Sequence, residues 1–160
     1  MTQTQHRTLE ERKAADPSLV CRVPSGWLEM SRSQFLRGYC ILRSEPVVSS
    51  INDLDMGQRA QFLLDMTLIG DAIMEVTGAN RMNYFLAGNF DPVLHAHIVP
   101  RYLSEPEQYR KGLPWLYPGF EDEAARFDCL RDAALVRAIE KAVQKHIQIR
   151  TDRSQERTKP

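Results

Sequence analysis

DPVLHAHIVPR, residues 91–101, sets His95 and His97 two positions apart inside an apolar run that ends in Pro-Arg. The run reads as a β-strand, and in a strand every second side chain shares a face. Val93, His95, His97 and Val99 then point one way, and Leu94, Ala96 and Ile98 the other. The second set is wholly apolar and is expected to pack on a helix, leaving both imidazoles on the more open face. At about 3.3 Å of rise per residue, their Cβ atoms would stand about 6.5–7 Å apart. That spacing lets both rings touch one phosphate group and is too wide for them to share a proton directly.

Working outward, RMNYFLAGN (81–89) reads as a strand pairing with VLHAHIVPRY (93–102). Gly-Asn followed by Asp-Pro is turn chemistry, so the two runs are expected to be antiparallel neighbours. Before them, Asp55 and Gln58 form a capping box, and Met56, Ala60, Leu63, Leu64, Thr67, Ile69, Ile73 and Met74 recur at helical spacing up to TGAN. This predicts a helix over 55–76. Gly57 and Gly70 weaken it by roughly 1 kcal/mol each, which packing can offset. GWLEM (26–30) and GYCILRS (38–44) read as two further strands, and PVVSS (46–50) as another short strand or an edge. Residues 103–120, rich in proline and aromatic residues, read as an ordered loop covering something. A last helix is expected over 123–148, with Phe127, Leu130, Leu135, Ile139, Val143 and Ile147 on one stripe. Its basic end, with His146, suits the negative pole of the helix dipole. Hairpins, a helix, a second hairpin and a last helix make an α+β domain with an antiparallel sheet.

Lys plus Arg and Asp plus Glu number 21 each, so no global field recruits nucleic acid or anionic membrane. The first residues carry no secretory h-region, and no apolar run approaches the roughly 20 residues that span a bilayer. Cys21, Cys40 and Cys129 are odd in number and lack a CxxC, which favours packed thiols in a reducing cytoplasm. Residues 1–18 and 151–160 are polar and are expected to be loosely packed, flanking a single domain over 19–150.

Three readings of the histidine pair are open. The rings are ordinary strand side chains; or they bind a metal with a third ligand from Asp91, Asp122 or His146; or they act on phosphorus. In the last, a neutral imidazole is the nucleophile and the second ring neutralises charge on the non-bridging oxygens.

LAGNFDPVLHAHIVPRY resembles the signature of the histidine-triad (HIT) superfamily, and more closely its bacterial branch related to diadenosine polyphosphate hydrolases. The family pattern is three histidines on alternate positions, then two apolar residues and often Pro-Arg. Here His95 and His97 fill the second and third positions, IVPR the tail, and Val93 replaces the first histidine. NYFLAGN, the long helix and the Pro-Trp of the loop fit too, so the resemblance covers residues 20–120.

The resemblance implies a HIT-like sheet of about five strands with a long central helix and a C-terminal helix. It implies that His95 attacks the α-phosphorus of a nucleotide and is transiently nucleotidylated, oriented by the carbonyl of residue 93, while His97 contacts phosphate. Asn89, with Gly88, Asn83 and Arg101 as further candidates, is implied to bind phosphate. The ribose-binding acid of the family has no clear counterpart, since Arg43 stands near that register. The implied activity is hydrolysis or nucleotidyl transfer on a phosphate ester or anhydride such as a dinucleoside polyphosphate. No metal is required for the chemical step, although magnesium can accompany a polyphosphate. A two-fold homodimer is expected. The alternative is a catalytically weak nucleotide-binding or scaffold protein of the same fold.

Overall fold

The computed structural model of the chain describes residues 9–157, with side chains from 11 to 152. Residues 1–8 and 158–160, parts of the two expected loose termini, lie outside the described residues. Strands β1 (Leu19–Val23), β2 (Gly26–Met30), β3 (Cys40–Ser44), β4 (Arg81–Phe85) and β5 (His95–Arg101) form one antiparallel sheet. Its order is β1-β2-β3-β5-β4, which puts the histidine strand between β3 and β4. Helices α1 (Leu9–Ala15), α2 (Met56–Thr77), the single-turn α3 (Glu107–Arg110) and α4 (Ala133–Arg157) complete the α+β fold. No described helix is long and apolar enough to cross a membrane.

The register decides which residues meet at the site. On β3, Ile41 lies opposite His97 and Arg43 opposite His95, while on β4 Phe85 lies opposite His97. Paired residues share a face, so Ile41, Arg43 and Phe85 surround the imidazoles. On the other face Leu94, Ala96 and Ile98 are buried with Leu28, Leu42, Phe62, Ile69, Ile73, Ile139 and Val143, the core between the sheet, α2 and α4. Burying such side chains contributes about 1.5–3 kcal/mol each, which fixes the strand's orientation: a one-residue slip would put His95 into hydrocarbon.

The expected capping box is present, Asp55 accepting from Gln58 N and Gln58 reaching back to the cap, and Gly78 ends α2 in the left-handed region. Gly70 has a packing reason. A Cβ there would stand 2.0 Å from the Tyr84 hydroxyl, so the glycine lets α2 lie against β4.

Several boundaries differ from the sequence reading. Residues 9–15, expected to be loose, form α1, which Lys13 ties to Glu140 at 2.6 Å. β1, absent from that reading, pairs with β2. PVVSS is not a strand, although Val48 O accepts from Leu94 N at 2.7 Å. The last helix starts at Ala133, because Ala125 O and Phe127 N are spent on Gln34 N and Arg32 O, an isolated bridge that leaves Leu130 exposed. The same helix runs on to Arg157, into the expected tail. His146 therefore lies well before its end, and pairs with Glu75 of α2 at 3.0 Å rather than serving the dipole.

Candidate active site

His95 and His97 face each other. Their Nε2 atoms are 3.1 Å apart and the ring centroids 4.8 Å apart at 76°. This corrects the expectation that the pair is too widely spaced to share a proton: rotation of the side chains toward each other closes a gap that backbone spacing alone leaves open. His95 Nδ1 lies 2.6 Å from the carbonyl oxygen of Val93, and His97 Nδ1 lies 2.5 Å from the Tyr39 hydroxyl. A carbonyl can only accept, so His95 carries its proton on Nδ1 and, as a neutral ring, has its lone pair on Nε2. That lone pair is the nucleophilic position.

The carbonyl that orients His95 is itself braced. Val93 N donates to Asp91 Oδ1 at 3.3 Å, and Asp91 Oδ2 accepts from Arg43 at 2.9 Å. Arg43 also donates to Glu29 at 2.7 Å. The hydrogen bond from Arg43 holds the Asp91 carboxyl below its usual range, whereas burial raises that of Glu29 against the pull of Arg43. Arg43 is thus engaged by two carboxylates.

Electrostatically, His97 is kept neutral. Burial, then His95 and Arg43, pull its pKa down to about 4, and burial pushes Tyr39 up to about 12. A protonated donor and a neutral ring are the consistent pair at neutral pH.

Two cavities meet the histidines. One of about 270 Å³ is lined by His95, Gly88, Asn89, Leu86 and residues 49–51. The other, about 340 Å³, is lined by His97, Tyr39, Ile41, Trp115 and Phe120, with Ser31, Arg32 and Arg126. Trp115 stands edge-on to His97 at 5.4 Å and to Phe85 at 4.7 Å, so the loop over 103–120 covers the histidine face. A larger cavity of about 610 Å³ lies between the ends of α2, β5 and α4, with no histidine on its wall.

Gly88 and Asn89 thus line one cavity with His95. A Cβ on Gly88 would meet Ser49 O at 3.5 Å and Asp91 O at 3.9 Å, both ordinary contacts, so packing does not demand the glycine. Arg101 and Asn83 are placed otherwise. The Arg101 guanidinium is buried and spends its donors on Glu105, Asn83 Oδ1 and the carbonyls of Tyr109, Arg110 and Gly112. It is a strut between β5 and the covering loop, with Asn83 Oδ1 as one of its acceptors. The cause is burial: a 3% exposed cation needs protein acceptors on every N–H.

The three side chains weighed as extra metal ligands lie elsewhere: Asp91 on Arg43, Asp122 capping Ala124 N, His146 on Glu75. Among the described residues no three His, Cys, Asp or Glu side chains gather into a metal-binding group. Sequence reasoning missed Tyr39, weighed Asp91 only as a metal ligand and met Trp115 only in the Pro-Trp of the loop. Tyr39 carried one available signal, since it precedes a strand in phase with Ile41 and Arg43.

No family model and no curated protein matches the chain. Solved structures do. A histidine triad protein from Sinorhizobium meliloti is 19% identical, with a TM-score of 0.65 over 84% of this chain and 96% of that one. One from Bradyrhizobium japonicum is 20% identical, with a TM-score of 0.63 over 81% and 94%. The diadenosine triphosphate hydrolase of Plasmodium falciparum, solved with cyclomarin A, is 12% identical, with a TM-score of 0.60 over 81% and 78%. Likeness at such low identity speaks to architecture, and the architecture of this chain is that of the histidine-triad proteins.

Proposed function

We propose that the chain binds a nucleotide and acts as a nucleotidyl hydrolase or transferase through a covalent His95 intermediate. The observation that carries this is the 2.6 Å hydrogen bond from His95 Nδ1 to the Val93 carbonyl, which leaves the Nε2 lone pair for phosphorus. The reaction has two halves. His95 Nε2 bonds to the α-phosphorus as the bond to the leaving group breaks, the pair of electrons departing with that group. Water then breaks the Nε2–P bond, releasing the nucleotide and restoring the imidazole. His97 stabilises the charge that develops on the phosphoryl oxygens.

The aromatic cavity beside His97 suits the nucleoside, which stacks on rings such as Trp115 and Phe120. The cavity beside His95, with Asn89 and the backbone of Gly88, suits the phosphates. The covalent step as written needs no metal; magnesium would arrive on a polyphosphate substrate. A dinucleoside polyphosphate or a nucleoside phosphoramidate is the substrate class, and the working form is a homodimer in the cytoplasm.

His95→Ala tests the reading. It should abolish turnover of a panel of such substrates while AMP affinity stays within about threefold. Loss of AMP binding together with turnover would make His95 a binding residue instead. One observation favours a second reading, a nucleotide-binding protein with little catalysis: residue 93 offers a carbonyl but no imidazole. Wild-type protein that binds AMP and cleaves none of the panel would establish it.

A further inference from the structure

Val93 O, His95, His97 and Tyr39 form one continuous chain of hydrogen bonds, with separations of 2.6, 3.1 and 2.5 Å. Its direction follows from its ends. The carbonyl accepts, so His95 Nδ1 donates and a neutral His95 leaves Nε2 bare. A bare Nε2 at 3.1 Å must face a donor, because two lone pairs at that distance repel. His97 Nε2 therefore holds the proton, His97 Nδ1 is bare, and the Tyr39 O–H donates to it.

We propose that Tyr39 is a positioning residue that locks His97 in the tautomer with Nε2 protonated, so that the ring presents a neutral N–H to the group His95 attacks. Reversal of the chain needs His95 to be a cation. Such a cation would face Arg43 directly across the strand pair, and nearly all of the ring is buried. Among the described residues, the carboxylates that feel His95, Glu29 and Asp91, are already engaged by Arg43.

Tyr39 is itself fixed. It is 2% exposed, packed with Leu36 and Val99 and edge-on to Phe35 at 6.2 Å. The buried Ser31 side chain is a second hydrogen-bonding neighbour of the Tyr39 phenol. When substrate enters, the His97 N–H turns from His95 to a phosphoryl oxygen without any change of protonation, since Tyr39 holds the far nitrogen. No proton crosses to Tyr39, whose ionisation burial opposes.

The kinetic part rests on the proposed covalent chemistry; the tautomer does not, which separates the two. The experiment is two-bond ¹⁵N–¹H correlation NMR of the ¹⁵N-histidine-labelled full chain near neutral pH. Wild type should show His97 with a bare Nδ1 and a protonated Nε2, and His95 the opposite. Tyr39→Phe, which keeps the ring and its packing, should give His97 mixed tautomers and a titration midpoint raised toward the ordinary value, with kcat about tenfold lower and KM little changed. A wild-type His97 protonated on Nδ1, or a charged His95, overturns the proposal, as does a Tyr39→Phe protein with unchanged tautomer and kcat. Wild type with the expected tautomers and no turnover of any substrate supports the lock and refutes the covalent reading.

Discussion

The carbonyl oxygen of Val93 stands 2.6 Å from Nδ1 of His95, so the ring is oriented by the main chain of the residue two places before it. A backbone contact is indifferent to the side chain that follows it. Val93→Ala should therefore change kcat/KM by less than about threefold, the small loss of a half-buried valine's packing aside. A hundredfold fall would mean that the valine side chain itself shapes the site.

The brace on that carbonyl makes a second expectation. Asp91 accepts from Val93 N and from Arg43, and both ends of the ion pair are over a third exposed, so the pair itself contributes about 0–1 kcal/mol. Asp91→Asn should leave the urea midpoint nearly unchanged, speed amide exchange over 88–94, and lower turnover by about tenfold through a loosened Val93 carbonyl. Unchanged turnover with faster exchange would show that the brace does not reach the chemistry.

Arg101 behaves in the opposite way. It and Glu105 are nearly fully buried, and removing one partner of such a pair costs about 3–5 kcal/mol because a charge is left without compensation. Arg101→Met should lower the unfolding free energy obtained from urea titration by that amount, while any folded fraction binds AMP with unaltered affinity. An affinity loss at full folding would restore Arg101 to the phosphate site.

His97 links stability to pH. Its folded pKa, about 4, lies below the ordinary 6.5, so the folded state prefers the neutral ring. The unfolded chain binds more protons between those values; the contribution is fully present above 6.5 and lost as pH falls toward 4. The groups facing His97 are His95 on its own strand, Arg43 and Tyr39 on the neighbouring segment, and Trp115 from the loop. His97→Asn should lose less stability than wild type between neutral pH and pH 5, read as urea midpoints. Equal slopes would contradict the assignment.

The histidine strand, its turn, the α2 cap and the α+β class were legible because each is written in neighbouring residues: a period of two, a Gly-Asn, an Asp with Gln three places on. What escaped is carried by distant contacts. Tyr39 meets His97 from 58 residues away, and Arg101 finds acceptors in the short α3, at Tyr109, and in the turn after it, at Gly112. The start of α4 is set by pairing with residues 32–34, which no helical periodicity in 123–132 reveals. Ring rotation, which brings the two Nε2 atoms together, is a side-chain choice that spacing along a strand does not contain.

The most direct measurement is intact-mass and peptide mass spectrometry of wild type quenched during turnover of a nucleoside phosphoramidate. The account predicts one nucleotidyl adduct, on the peptide bearing His95, absent in His95→Ala. An adduct on another residue, or turnover with His95→Ala intact, would contradict it.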